Sequence, residues 1–226
     1  MKILAVDTSG YEGSIAISED RQLIEERFLH AEGRRHAQTL VSEVDGLLKS
    51  LKLAATDIDC VAVSIGPGSF TGLRVGVVFA KTYAWANKTR LVAVDTLRAV
   101  AMQVSSDVKT VSVISDAQRR EGFVNDYVWD DASQSRVATG IVRIEPIESI
   151  VDGDTSANRY WTGPGLTRFA SEFPDTSKFA PESAWNPKAS SIADVGSLMN
   201  ANNTIANMYT LEPLYIRRSY AEEKVT

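Results

Sequence analysis

The 226-residue chain is long enough for one large domain or two modest ones, and its 44% hydrophobic and 23% charged residues are typical of a soluble globular protein. A net charge of -5 argues against a chain that binds nucleic acid by itself, because phosphate binding needs a basic surface. The lone cysteine, Cys60, argues against a disulfide framework and for a reducing compartment. With no leader-like start and no long apolar run, we expect a cytoplasmic protein without a membrane anchor.

Three strands and a helix are predicted first. Lys2–Val6, Ser14–Ser18 and Gln22–Leu29 are short apolar or alternating runs joined by turn residues, which predicts an antiparallel meander. From His36 the spacing becomes helical. The residues of this apolar stripe are Ala37, Leu40, Val41, Val44, Leu47, Leu48 and Leu51.

The next stretch carries the most specific local signal. Cys60–Ile65 predicts a buried strand, and Gly66, Pro67 and Gly68 end it in a turn. Ser69 or Thr71 then caps a helix that continues to about Asn87. A strand, a glycine turn and a helix start present backbone N–H groups to an anion or to a partner chain.

The helix after this turn is apolar around most of its circumference. Its large side chains are Leu73, Val75, Val77, Val78, Phe79, Tyr83 and Trp85. Gly72 and Gly76 leave a flat strip where a neighbouring helix can approach closely. Such a helix is either part of the chain's own core or part of an interface with another subunit, and the residue pattern leaves both interpretations open.

The element order predicts the fold class. A strand at Arg90–Val94 and a helix capped near Asp95 or Thr96 complete a βββαβαβα order, which favours a mixed sheet with a ribonuclease H-like layout. We interpret the rest as an eroded and shortened second copy, with halves at 1–108 and 109–226. Its predicted elements are strands at Thr110–Ser115, Phe123–Trp129 and Val137–Ile144, short helices at Leu166–Glu172 and Ser191–Met199, and an extended segment at Pro213–Arg218.

Candidate catalytic groups are few. Asp7, Thr8 and Ser9 end the first strand and Asp116 ends the first strand of the second half, where such carboxylates can hold a metal–phosphate group or simply make a turn. No glycine-rich phosphate hairpin follows either of them. An ATPase or kinase using Asp7 and Asp116 is therefore an alternative, and a two-metal nuclease is a weaker one because it needs more carboxylates. His30 and His36 lack the spacing of a metal motif.

Several segments together resemble one family. MKILAVDTS at the start, His36 leading a helix, SIGPGSFTGLRVG at 64–76 and PLYIRR at 213–218 closely resemble the bacterial TsaB (YeaZ) family. Asp116-Ala117 followed by Arg119 and Glu121 is similar to another segment of that family. The resemblance implies an actin-like ATPase (ASKHA) α/β fold with two ribonuclease H-like halves.

The resemblance also implies a function in tRNA modification. Members of the family help to form N6-threonylcarbamoyladenosine at position 37 of tRNAs that read ANN codons. In that family TsaB is the non-catalytic paralogue of the transferase TsaD, and the ATPase TsaE joins them. The catalytic chain is thus expected to be the partner, with tRNA contacted mainly through the complex and no catalytic or metal-binding residue in this chain. ATP or ADP near the partner interface is a further implication, as is self-association when the partner is absent.

The first two helices would form the pairing surface. The expected interface residues are His36, Leu40, Val44, Leu47, Thr71, Leu73, Arg74, Val77, Ala80 and Ala84. An arginine in place of Val77 or Leu73 is expected to abolish pairing and leave the fold intact. Arg34, Arg35, Arg217 and Arg218 are candidates for a weak tRNA contact, although charged residues on a solvated surface are the simpler interpretation.

Overall fold

A computed structural model describes residues 1–29, 36–154 and 159–216, and within 36–38 only the backbone. It contains two mixed sheets with helices packed on both. The strands are β1 Lys2–Asp7, β2 Ser14–Glu19, β3 Gln22–Phe28, β4 Cys60–Gly66, β5 Arg90–Asp95, β6 Thr110–Asp116, β7 Glu121–Asp130, β8 Ser135–Ala138, β9 Arg143–Pro146, β10 Arg159–Thr162 and β11 Lys178–Phe179. The helices are α1 His36–Ser50, α2 Phe70–Asn87, α3 Thr96–Met102, α4 Ile147–Asp152, α5 Leu166–Phe169 and α6 Ala189–Ala201.

The two sheets have the same strand order. The first runs β3-β2-β1-β4-β5, with β1, β2 and β3 antiparallel and β4 and β5 parallel to β1. The second runs β11-β10-β6-β7-β8, and β9 also pairs with β7. Taking β6 as the counterpart of β1, each antiparallel and parallel neighbour recurs in the same place. The predicted actin-like fold with two ribonuclease H-like units is confirmed.

The second unit is shortened, as expected. Its counterparts of β4 and β5, which are β10 and β11, have four and two residues, and α5 has four residues where α2 has 18. One predicted strand, Val137–Ile144, is wrong. Two separate strands, β8 and β9, share the long edge of β7, because the chain turns at Thr139 and Gly140, where the Thr139 N–H donates to the Asp126 carbonyl.

Each unit contributes a helix to the other. α3 packs on the second sheet, where Leu97 and Val100 join a core with Val111. α6 follows the second sheet but packs on the first, where Ile192 and Val195 share a core with strand residues of β1 and β5. The strands of the two sheets lie within 2–95 and 110–179, and the proposed boundary at 108/109 stays a prediction.

The connection between the sheets is clamped by Arg136, whose side chain is fully buried. Its guanidinium donates to the carbonyl oxygens of Val108 at 2.7 Å, Lys109 at 3.2 Å, Ser105 at 2.7 Å and Val104 at 3.2 Å. Burial lowers the pKa of this group from its ordinary value. The four backbone carbonyls replace the water that the cation loses on burial.

None of the helices within the described residues is both long and apolar enough to cross a membrane.

Candidate functional site

The polar residues at the end of β1 are folded into the protein. Asp7 and Thr8 are fully buried and Ser9 nearly so. Asp7 Oδ1 accepts hydrogen bonds from the Ser9 N–H at 3.2 Å and from the Ser9 hydroxyl at 2.7 Å. This carboxylate is therefore engaged by its own turn.

The end of β1 packs directly against glycines of the turn and of α2, where a side chain would not fit. A Cβ on Gly72 would overlap the Thr8 carbonyl oxygen, and one on Gly76 would overlap the Thr8 hydroxyl. Thr8 Oγ1 donates to the Gly72 carbonyl at 2.8 Å, and the Ser69 N–H donates to the Ser9 carbonyl at 2.7 Å. The expectation that a neighbouring helix approaches this glycine strip is wrong, because the end of β1 occupies it.

The turn before α2 forms at the predicted residues. Gly66 has a φ of +117°, a left-handed conformation that favours glycine. The N-cap is Ser69 rather than Thr71, and its hydroxyl accepts from the Gly72 N–H at 3.2 Å. Pro67 is buried between these residues.

A second copy of this turn follows β10. Gly163, Pro164 and Gly165 repeat the tripeptide after β10, which is the counterpart of β4, and the φ of Gly163 is +115°. The Gly165 N–H donates to the Ile114 carbonyl at 3.0 Å. The repeated tripeptide was visible in the sequence, and its position after matching strands becomes apparent once the two sheets are compared.

Asp116 lies in a different environment from Asp7. Its Oδ1 accepts from the Gln118 N–H at 2.7 Å, and its Oδ2 accepts from Arg168 Nη1 at 3.0 Å. Its side chain is 35% exposed, whereas Asp7 is fully buried. The two strand-end carboxylates thus occupy matching positions in the sheets but do not have matching surroundings. Across residues 1–29, 36–154 and 159–216, no three His, Cys, Asp or Glu side chains are placed to hold a metal ion.

Most of the expected interface residues are buried inside this chain. Leu40, Val44 and Leu47 of α1 and Leu73, Val77, Ala80 and Ala84 of α2 are at most 3% exposed. Thr71 and Arg74 are exposed, and the His36 side chain lies outside the described residues, as do Arg34, Arg35, Arg217 and Arg218. Arginine at position 77 or 73 would therefore insert a charge into the core, which conflicts with the expectation that such a variant keeps its fold.

Other apolar residues form the exposed face of α2. Val78 is 62% exposed and Trp85 is 65% exposed, and they stand on one side of the helix with Phe70 and Arg74. On α1, Val41 is 67% exposed, although it belongs to the apolar stripe that the sequence predicts for this helix. We call Val41, Phe70, Val78 and Trp85 the α1–α2 surface.

A cleft of about 350 Å³ separates the two units near the carboxyl end of β5. Its polar side chains are Asp95, Arg98, Asn125 and Tyr127, and its apolar walls include Ile141, Leu214 and Ile216. The Tyr127 hydroxyl donates to Asp95 Oδ1 at 3.3 Å. Burial raises the pKa of the Asp95 carboxyl and of the Tyr127 phenol. This hydrogen bond joins the two units across the cleft.

The chain was compared with known proteins. The family model for tRNA N6-adenosine threonylcarbamoyltransferase, TsaD, matches residues 30–141. The tRNA threonylcarbamoyladenosine biosynthesis protein TsaB of Bacillus subtilis is 28% identical over 99% of this chain and 97% of its own length. TsaB of Escherichia coli is 26% identical over 100% of this chain and 98% of its own. By this full-length similarity the chain resembles the TsaB/YeaZ family.

A solved structure supports the same fold. YeaZ from Pseudomonas aeruginosa superimposes with a TM-score of 0.82 at 23% identity, covering 95% of this chain and 99% of that one. The shared fold therefore includes both sheets of this chain. The TsaD match contains α1, α2 and α3 with β4 to β8 and ends before β9.

Proposed function

We propose that this chain is a non-catalytic subunit in the synthesis of N6-threonylcarbamoyladenosine at position 37 of ANN-decoding tRNAs. It pairs with a TsaD-type transferase, joined by a TsaE-type ATPase, and touches tRNA mainly through that complex. The observation that carries the proposal is the full-length similarity to proteins named for this pathway. The same similarity makes a cytoplasmic location the natural expectation.

The segment shared with the transferases supports the pairing. The TsaD match covers α1 and α2, so the partner is expected to have an equivalent helix pair. Two related chains with the same helix pair can associate about a pseudo-twofold axis, with each pair covering the other. The same geometry would allow a homodimer in the absence of the partner.

The α1–α2 surface is suited to this pairing. Val41, Val78 and Trp85 are each more than 60% exposed on neighbouring helices, and clustered exposed apolar side chains commonly mark an association site. Trp85 is the largest of them and belongs to a residue type enriched in binding hot spots. Burial of these three side chains by a partner would remove apolar surface from water. It would not disturb the core of this chain, because the three side chains are mostly exposed.

The surroundings of Asp7 support a non-catalytic role. Its Oδ1 is held by Ser9, and the turn that carries it is packed under Gly68, Gly72 and Gly76. A carboxylate that is to bind a metal–phosphate group must have its oxygens accessible from a cleft, and this side chain has no exposed area. ATP or ADP at the partner boundary would then be held largely by groups from the other subunits.

Synthesis in vitro tests the proposal. Purified TsaD, TsaE and the enzyme that makes threonylcarbamoyl-AMP are incubated with tRNA, with and without this chain, and the modified nucleoside is measured. Product that depends on this chain supports the subunit role, and equal product in its absence would refute it. Omitting TsaD while keeping this chain is the control for catalysis, and product in that sample would contradict the non-catalytic assignment.

A further inference from the structure

The C-terminal segment 205–216, which we call the strap, is fixed alongside α2. The Ala206 N–H donates to the Leu91 carbonyl at 2.8 Å, and the Leu214 N–H donates to the Ile65 carbonyl at 2.7 Å. Side chains between these points pack inward against the core of the first sheet. They are Ala206, Met208 and Leu211.

Two cationic side chains of α2 bind the strap along the exposed face of this helix. Lys81 Nζ donates to the carbonyl oxygens of Leu211 at 3.0 Å and Tyr209 at 3.5 Å. Arg74 Nε donates to the Tyr215 hydroxyl at 3.0 Å, and its guanidinium stacks 3.8 Å from the ring centre of Phe70. Lys81 and Arg74 are two helical turns apart, so the strap follows the same side of the helix over that length.

Tyr209 projects from the strap into solvent. It is 77% exposed, and it lies in a turn in which the Leu211 N–H donates to the Asn207 carbonyl at 2.9 Å. The Tyr209 N–H also donates to Asn207 Oδ1 at 2.9 Å. The backbone of this turn is thus hydrogen-bonded before any binding, so a partner that buries the ring would not need to order the backbone of the strap.

We propose that the strap is part of the docking surface for the TsaD-type subunit, with Tyr209 as its aromatic anchor. This inference rests on the proposed function and extends it beyond the helix pair. The occupant follows from continuity, because Lys81 lies on the same side of α2 as Val78 and Trp85 and donates to the backbone carbonyl of Tyr209. An exposed tyrosine in a hydrogen-bonded turn belongs to a residue type that is enriched in binding hot spots.

The strap lies outside the segment that is matched to the transferases. That match ends at residue 141, whereas the strap begins at residue 205. The strap would therefore add contacts to the docking surface that the shared helix pair does not provide.

Binding of purified transferase to full-length variants, measured by titration calorimetry, tests the inference. We expect Tyr209→Ala to weaken binding at least about tenfold and Tyr209→Phe to leave it within about threefold, because the ring rather than the hydroxyl provides the contact. Tyr11→Ala is the matched control, since Tyr11 is 98% exposed in the turn after β1. Its affinity should equal that of the unchanged chain.

The outcomes separate this inference from the proposed function. If Val78→Arg abolishes binding while Tyr209→Ala binds normally, the strap proposal is overturned and the helix interface stands. If both variants bind normally, pairing through α2 is refuted as well. A loss in Tyr209→Phe as large as that in Tyr209→Ala would overturn the role of the ring. Circular dichroism of each variant should be unchanged, since both side chains are mostly exposed.

Discussion

The hydroxyl of Thr8 donates a 2.8 Å hydrogen bond to the carbonyl oxygen of Gly72, which ties the end of the first strand to the first turn of α2. Both residues are buried, and Gly72 has no side chain to hold them apart. This contact accounts for Gly72 of SIGPGSFTGLRVG, and the approach of the Thr8 hydroxyl accounts for Gly76. The motif that is most specific to the family is, at this point, a packing motif.

A methyl group at position 72 should therefore destabilise the fold. In Gly72→Ala the Cβ would overlap the Thr8 carbonyl oxygen, and forced overpacking of this kind typically costs about 1–3 kcal/mol. The melting temperature should fall by roughly 2–4 °C per kcal/mol for a chain of this size. Calorimetric or circular dichroism melting measures it.

Gly46→Ala in α1 is the matched control. A Cβ there meets only the end of the Arg27 side chain, at 3.4 Å. Removing a helix glycine without a clash is expected to leave stability unchanged or raise it by up to about 1 kcal/mol. Equal melting temperatures for Gly72→Ala and the unchanged chain would contradict the close packing of β1 on α2.

Neighbouring positions on α2 should respond in opposite ways to arginine. Val78→Arg changes a side chain that is 62% exposed and should abolish pairing with the transferase while the melting temperature stays within about 2 °C, as for an ordinary surface change. Val77→Arg changes a side chain that is 3% exposed and should destabilise the chain by at least about 3 kcal/mol.

Size-exclusion chromatography with the transferase and thermal melting together distinguish these two effects. A folded Val78→Arg variant that still co-elutes with the transferase would place the interface elsewhere. A Val77→Arg variant that melts like the unchanged chain would contradict the burial of the inner face of α2.

The isolated chain should not turn over ATP through Asp7. The Asp7 carboxylate is buried and bonded to Ser9, so phosphate release by the purified chain with magnesium should equal the protein-free background. Asp7→Asn and Asp116→Asn should give the same background rate. Turnover that is present in the unchanged chain and lost in Asp7→Asn would instead favour the alternative of an actin-fold ATPase or kinase.

The thiol of Cys60 should be protected in the folded chain. Burial raises its pKa to about 12, whereas an exposed thiol has a pKa of about 8.5. The pKa of this thiol is higher in the folded chain than in the unfolded chain. Ionisation of the unfolded chain therefore lowers the free energy of unfolding as the pH rises from about 8.5 towards 12, and the thiol has no effect on stability at lower pH. At pH 8 the native chain should react with a disulfide reagent only as fast as it opens.

Unfolding in urea provides the control for this thiol. The unfolded chain should release one equivalent of reagent per chain, since the sequence contains one cysteine. Rapid labelling of the native chain at pH 8 would show that β4 is not buried as described.

Local residue patterns determined much of this fold. The meander, α1, β4, the turn at Gly66 and the cap before α2 follow from spacing and from residues that favour turns and helix starts, because those signals act within a few positions. The duplicated layout could be inferred from the order of elements. The family resemblance could be recognised in the same way, since its motifs are continuous strings.

Only the tertiary structure decided which side of α2 faces outward. Leu73, Val77, Val78 and Trp85 are all apolar, so helical spacing alone does not separate the two that pack on the sheet from the two that face solvent. That choice depends on contacts between residues distant in sequence, such as Thr8 with Gly72 and Lys81 with Leu211. The sequence therefore determined that α2 is apolar around most of its circumference. The packing of β1 and the strap around α2 determined which of its surfaces is left for a partner.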